Sequence, residues 1–507
     1  METDLRIASA QLQAAINRQD LAEADRVLVR LLSGLSGTSR IPFLTQHSRI
    51  LGPLGRQPEA VAAARETITL LEQHGLDGDA ATWHQLGLSL TEARCQTEAL
   101  PLLKRATDMA PDTGPYWKTR GETEDHLGLT DDAETSYGKA AGTGNWAGRL
   151  SLARLRRWTP AHNHIESLLA APVQTPLHKA CKGYALFKEY DDIGDPPSAW
   201  HWLQYGAAAA RAQPATPRRP VWSAADERAQ VVAWKTAFPP ARFTHLPEIT
   251  RKGPRRLFII GLPRSGTTLV ERILGAHSQV RALGELPGFP AAVKAASGAL
   301  TPTLVDVETI ESAGRTDPQA IAALYASETA WLSEGAPCVT DKLPHNSDYT
   351  GLIRLAFSNA AIIHVRRAPM DSLFGAYKLF FAAGWSFDQD DLADHYRNYR
   401  ELMDHWRTCL GNGLIEVSLE ALIRDPERQI RRLLTACGLP FEAACLTPHE
   451  TRGAVTSASA NQVRKPINAE GIGAWRRYES ELAPVRARLE SLGFIDTNGD
   501  EKESGKL

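Results

Sequence analysis

The segment Arg255-Arg-Leu-Phe-Ile-Ile-Gly-Leu-Pro-Arg-Ser-Gly-Thr-Thr268 constrains the fold of this 507-residue chain more than any other stretch. Leu257 to Ile260 is a short apolar run and reads as a buried strand. It enters a loop bounded by Gly261 and Gly266. An amphipathic segment follows through Thr267, Leu269, Val270, Ile273 and Leu274. Strand, glycine loop and helix in that order aim backbone N–H groups and a helix N-terminus at an anion. Arg264 adds a cation inside the loop.

The Gly-x4-Gly spacing is that of loops that grip nucleoside triphosphates, but the lysine expected after the second glycine is replaced by Thr267. The loop therefore reads as a cradle for a phosphate-like group without the grip on β/γ-phosphates. The chain is too long for one ordinary core, so two or more domains are expected. Its 43% hydrophobic and 23% charged residues are those of a globular protein. A net charge of −2 provides no global basic field for nucleic acid, so an anion site has to be local. No run approaches the roughly 18 apolar residues of a membrane helix. Met1-Glu-Thr-Asp has no basic, then apolar, leader pattern, so no secretory signal is expected. Six scattered cysteines without CxxC spacing fit free thiols in a reducing compartment, and a cytoplasmic location is expected.

Upstream of the loop the chain repeats. Trp83, Leu86, Gly87, Leu90, Ala99, Leu103, Ala106 and Pro111 follow the tetratricopeptide pattern, and Trp117, Gly121, Ala133, Tyr137 and Ala140 repeat it one period later. The small residues let paired helices approach, and Pro111 stops the second helix. Weaker helix pairs read at 5–33, 44–74 and 178–211. The expectation is a solenoid of five or six helix pairs over about 5–235, assigned as domain 1–211. Its uses are a concave surface for a peptide or protein partner, or a scaffold for internal packing or a homodimer. Residues 212–254 read as a Pro-rich connector with a short helix from Ala224 to Phe238.

The C-terminal part, 255–495, alternates apolar runs with helical patterns. Val339–Asp341, Ala361–Val365 and Leu414–Val417 each follow a helix, near 318–333, 346–357 and 390–410. That alternation predicts a doubly wound parallel sheet, whose ligands bind at the carboxyl ends of the strands. Arg264, Glu285, Asp341-Lys342 and Arg366-Arg367 all fall at such ends. The fold class is thus an N-terminal all-α solenoid followed by an α/β P-loop domain, with 496–507 as a disordered tail.

Six ordered segments over about 255–490 resemble the P-loop sulfotransferases, which use 3′-phosphoadenosine-5′-phosphosulfate (PAPS), and in particular the tetratricopeptide-sulfotransferases. A more distant resemblance is to the tyrosylprotein sulfotransferases. The segments are Gly261–Thr268, Gly284-Glu285-Leu, Asp341-Lys342-Leu-Pro-His-Asn346, His364-Val-Arg-Arg-Ala-Pro-Met-Asp371, Gln462-Val-Arg-Lys-Pro-Ile467 and Trp475-Arg-Arg-Tyr-Glu479. The resemblance implies that Arg264, Ser265, Gly266, Thr267 and Thr268 hold the 5′-phosphosulfate. It implies Glu285 as general base and Lys342 as stabiliser of the leaving oxygen. Arg367 or Arg366 takes the 3′-phosphate, and Ser459, Arg464 and Lys465 either close over the donor or belong to a solvated loop. The serine expected eight residues after Arg367 is Gly375, with Ser372 one turn earlier as a substitute hydroxyl. Ala474 stands where a basic residue is usual. No arginine follows Glu285, where tyrosylprotein sulfotransferases carry one that helps read acidic acceptors.

The implied reaction is sulfuryl transfer from PAPS to a hydroxyl, without a metal. A peptide or protein tyrosine is the first expected acceptor, with a glycan or small metabolite as the alternative. A P-loop kinase or NTPase is the rival class, opposed by Thr267 and by the lack of a clear magnesium-binding aspartate. An adaptor working only through its repeats is opposed by the presence of both Glu285 and Lys342. His364, flanked by apolar strand neighbours, reads as a core histidine. Tyr377, Phe380, Phe381, Trp385 and Phe387 line an acceptor pocket or pack in the core.

Overall fold

Five parallel strands form one sheet in the order β2-β3-β1-β4-β5. They are β1 Arg255–Gly261, β2 Val280–Arg281, β3 Cys338–Asp341, β4 Ala361–Arg366 and β5 Leu414–Ser418. The computed structural model describes residues 2–18, 20–216, 220–246, 253–299, 301, 303, 305–380, 383–451, 453–456 and 460–502. Successive strand side chains point to opposite faces, and here both faces are covered. Phe258, Ile260 and Ile362 join a core with Trp234, Phe289, Tyr325 and Trp406. Leu257, Ile259, Ile363 and Val365 join another with Ile273, Leu274, Ile430 and Leu434. Double burial is why β1 reads as an unbroken apolar run; truncating one of its isoleucines to alanine costs about 2–5 kcal/mol. β2 is only two residues long, too short to leave a pattern in the sequence. Most of the remaining chain is helical.

The chain divides into two compact units, residues 1–155 with 453–455, and 156–452 with 456–507. The division is at 155/156, not at the expected 211/212. The helices Pro176–Ile193 and Pro196–Arg211 belong to the α/β unit. They cross at Gly183 and Gly206, where a Cβ on Gly183 would lie 2.4 Å from the Gly206 backbone. Trp200 then packs 5.8 Å from both Tyr377 and Tyr478, and Tyr184 stacks on Phe380 at 5.5 Å. The supposed connector is also corrected. Helix Ala224–Ala237 carries Val231 and Trp234 at one spacing, followed by Phe238, into the same core as Phe258.

The first unit contains nine α-helices among its described residues, from Glu2–Asn17 to Trp146–Leu155. Positions one period apart pack alike. A Cβ on Gly87 would meet Leu103 at 2.7 Å, and one on Gly121 would meet Tyr137 at 2.7 Å. Arg105 lies over the Trp83 ring at 4.2 Å, and Lys139 over Trp117 at 4.1 Å.

The described part of the C-terminal tail is ordered, contrary to expectation. Ile495 bridges to Glu501, and the Lys502 N–H donates to the Phe494 carbonyl at 2.9 Å. Residues 503–507 lie outside the described residues. Among the described residues no helix is long and apolar enough to cross a membrane.

Candidate active site

The loop after β1 is shaped by close approach. Gly261 has φ +149°, and a Cβ there would sit 2.5 Å from the Val365 carbonyl oxygen. Gly266 has φ +98°, and its Cβ would meet Leu419 at 2.7 Å. Only glycine fits either position. Arg264 holds a left-handed φ of +71°, a conformation that costs a non-glycine residue about 1–3 kcal/mol and clusters at ligand clamps. Helix Thr267–Gly275 starts at the end of the loop with Thr267 and Thr268 buried.

This loop stands where three cavities meet. Leu262 and Pro263 line a cleft of about 740 Å³. Arg264, Gly266 and Thr268 line a second of about 240 Å³. Ser265 lines a third, of about 20 Å³, together with Ser372, Arg366, Arg367, Arg400 and Glu501.

The second cleft carries Arg264, Arg367, Lys378 and Lys465 against two carboxylates, Asp371 and Glu470. Arg264 donates to Gln462 Oε1 at 3.0 Å. Arg367 donates to the Arg264 carbonyl at 2.8 Å and to the Gly471 carbonyl, with Asp371 3.9 Å away. Burial pushes the Arg367 guanidinium below its usual value. Burial also pushes the Lys378 ammonium down to about 8, opposed by Asp191 and reinforced by Arg264 and Arg367. An anion entering here would relieve both groups.

In the small cavity the Ser265 and Ser372 hydroxyls are buried and have no hydrogen-bond partner among the described residues. Arg366 is neutralised there: it donates to Glu501 at 2.8 Å and lies 3.5 Å from Glu416. Arg400 also meets Glu501, at 2.5 Å. Of the two adjacent arginines, Arg367 is the one that lines the second cleft.

Lys342 follows β3 directly, and its N–H donates to the Gly284 carbonyl at 3.0 Å, which draws the Glu285 segment alongside. Lys342, 1% exposed, forms an ion pair with Glu285. Neither side chain is among the lining of the three cavities, and the Glu285 side chain keeps 35% of its surface exposed. The adjoining turn Pro344–Ser347 packs on β1.

Residues 254–443 match the sulfotransferase family. The matched stretch takes in the whole of β1 to β5. An uncharacterised protein of Aquifex aeolicus is 32% identical over 337 residues, covering 63% of this chain and 43% of the relative. The chain thus spans less than half the length of that relative. Protein-tyrosine sulfotransferase 1 of Danio rerio is 28% identical over 267 residues, 48% of this chain and 74% of the relative. Its Mus musculus counterpart is 29% identical over 257 residues, 47% and 69% respectively.

The sulfotransferase segment contains residues that sequence reasoning passed over. Glu271, buried on the loop helix, accepts from the Gly284 N–H at 2.9 Å and the Thr340 hydroxyl at 2.8 Å, tying the Glu285 segment to β3. An acidic residue on the apolar side of an amphipathic helix was the available signal. Lys378 had none, because its position depends on the end of helix Pro369–Tyr377. Glu501 lay in the segment read as disordered.

Other expected residues scatter. Lys465 reaches the second cleft but is exposed and 3.4 Å from Glu470. Arg464 lines none of the three cavities; its charge acts on Arg272. Ser459 and Phe381 lie outside the described residues. His364 is buried, with Nε2 2.6 Å from the Tyr399 hydroxyl. Of the aromatics from 377 to 387, Trp385 lines the large cleft. Gly375 gives its space to Arg264, whose Cβ would be 3.0 Å from any Cβ placed there.

Proposed function

We propose that the chain is a PAPS-dependent sulfotransferase that moves a sulfuryl group to a hydroxyl. In this reading the sheet is a doubly wound P-loop sheet, and the first unit is a tetratricopeptide array that helps hold a peptide or protein tyrosine. The observation that carries the proposal is the Gly261–Thr268 loop, whose three sides open on three cavities. The residues fit such a donor: two glycines with no room for a Cβ, two hydroxyls unpartnered among the described residues, and Arg264, Arg367 and Lys378 converging.

When bound, PAPS supplies a sulfuryl group on a phosphate that leaves. The backbone N–H groups of 264–268, with the threonine hydroxyls, hold the 5′ end, and Arg367 with Ser372 takes the 3′-phosphate. Lys342 donates toward the oxygen on which charge develops, a contribution worth about 2.7–4 kcal/mol. Glu285 accepts the acceptor hydroxyl's proton. Positioning and electrostatics do most of the catalysis in transfers of this type.

The test is transfer of labelled sulfate from PAPS, with calorimetry of 3′-phosphoadenosine-5′-phosphate (PAP) as a separate measure of the donor site. Transfer that is lost in Glu285→Ala while PAP still binds is the expected result. Failure of PAP to bind would sink the proposal.

A further inference from the structure

Five carboxylates line the large cleft: Asp226, Glu227, Asp306, Glu308 and Asp348. Among the described lining residues there is no lysine or arginine. The basic groups in the lining are two histidines, His345 and His395. One of them is already engaged, since His395 Nδ1 lies 2.7 Å from Glu227 Oε1.

The cluster is more than a solvated acidic face, because a buried acceptor next to it is unmet. Asn398 is 1% exposed and lines the cleft. Its Nδ2 donates to the Ala224 carbonyl at 3.2 Å and to Glu227 Oε2 at 3.0 Å, which fixes the amide orientation and leaves Oδ1 without a donor among the described residues. Asp306 is held by the Thr303 hydroxyl at 2.5 Å and the Thr309 N–H at 2.8 Å. Asp348 has no side-chain hydrogen bond or ion pair among the described residues. Burial, then Glu227, push its carboxyl up to about 7. Two indole rings complete the lining: Trp222, and Trp385, which stacks on His395 at 3.9 Å.

The cleft therefore offers carboxylates, an unpaired carbonyl oxygen and aromatic surface, with no lysine or arginine among its described lining residues. An ammonium group supplies what is missing: charge, up to three donors, and a partner for aromatic faces. A carboxylate or sulfate in its place would face five carboxylates, against two histidines and the Trp222 indole N–H in the same lining.

We infer that the acceptor is a hydroxyl compound bearing an ammonium group, seated by Asp348, Glu227 and Asn398 with its hydroxyl toward Leu262 and Pro263. The inference rests on the proposed sulfotransferase function and narrows its substrate class. In the transfer an acceptor O–S bond forms, the S–O bond to the donor's 5′-phosphate breaks, and the hydroxyl proton passes to Glu285. The ammonium takes no part in bond making.

Three phenols that share one ring test this: tyramine (cationic), p-cresol (neutral) and 4-hydroxyphenylacetate (anionic), titrated calorimetrically into the full chain with PAP present. Affinity is expected to fall in that order, by about tenfold or more from first to last. Asp348→Asn should weaken tyramine by about tenfold and leave p-cresol unchanged. Sulfate transfer to tyrosyl peptides flanked by lysine or by glutamate separates a peptide source of the ammonium from a small-molecule one. PAP that fails to bind counts against the sulfotransferase reading. PAP that binds, with 4-hydroxyphenylacetate as tight as tyramine or with tyramine and the lysine-flanked peptide both inert, overturns the inference.

Discussion

Two clefts share one loop and carry opposite charge. On the Arg264 side, four cations face two carboxylates; on the Leu262 side, five carboxylates face no lysine or arginine among the described residues. A single six-residue turn therefore separates a site that draws anions from one that draws cations. Low-dielectric walls amplify each field locally, although the chain as a whole is close to neutral. The contrast shows why a net charge of −2 says little about ligands here. The seam between the two clefts lies at Gly261–Thr268, and Lys342 and Glu285 form a neutral pair beside it.

The largest expected effect comes from breaking that pair. Lys342→Ala should lower kcat by about 10²–10³ and leave binding in both clefts nearly unchanged. Single-turnover transfer, read beside PAP and tyramine calorimetry, checks it; a matching loss of PAP affinity would make Lys342 a binding residue instead. The next effect separates the neighbouring arginines. Arg367→Ala should raise the Kd for PAP by about 10–100-fold, the value of one or two hydrogen bonds to a charged group. Arg366→Ala should change it little, because Glu501 and Glu416 already neutralise that guanidinium. Tyramine binding should move with neither variant. If Arg366→Ala is the damaging one, the donor phosphate lies in the small cavity and Glu501 must be displaced to admit it.

The loop and the strands around it were legible in the sequence because local pattern determines them. A doubly buried strand has to be apolar, and a loop that passes within contact of Val365 and Leu419 has to use glycine. What was not legible depends on contacts between distant segments. Helix Ala224–Ala237 looked like a connector because its prolines flank it, yet Trp234 finds its place only once Tyr349 and Trp406 are folded around it. The helices between Pro176 and Arg211 continue the look of the repeats, while Trp200 and Tyr184 commit them to the α/β unit. The charge of the large cleft was equally hidden. Its carboxylates come from segments around 226, 306 and 348, none of which is acidic enough in isolation to draw notice.

Asp341, buried beneath the seam, tests its electrostatics through stability. The Tyr325 hydroxyl donates to it at 2.6 Å and Asn346 Nδ2 at 3.1 Å, yet burial still pushes its carboxyl up to about 7. A folded-state value above the unfolded one means that ionisation opposes folding. The contribution is most favourable below about pH 4 and is lost as the pH rises through about 7. Asp341→Asn removes that loss, and the amide fits because the buried Asn346 Oδ1, unpartnered among the described residues, can turn to accept from it. The variant should gain on the order of 1–3 kcal/mol over the parent at pH 8 and gain little at pH 4. Thermal unfolding across that range measures it; a gain independent of pH would mean the carboxyl is not the titrating group.

The smallest effect is at Gly375, on the donor side alone. A Cβ there would lie 3.0 Å from Arg264 Cβ and 3.3 Å from its Cγ, so the arginine has to yield by a few tenths of an ångström. Arg264 is anchored by Gln462 at one end and by its left-handed backbone at the other, so it can yield only by loosening the guanidinium. Gly375→Ser should therefore weaken PAP by about two- to threefold, well under one charged hydrogen bond, and leave tyramine untouched. Because the Ser372 hydroxyl already stands in the adjoining cavity, unpartnered among the described residues, a second hydroxyl one turn later adds a clash without adding a needed donor. A tenfold gain in PAP affinity would reverse this: the serine would then be the missing phosphate ligand, and Ser372 would not be its substitute.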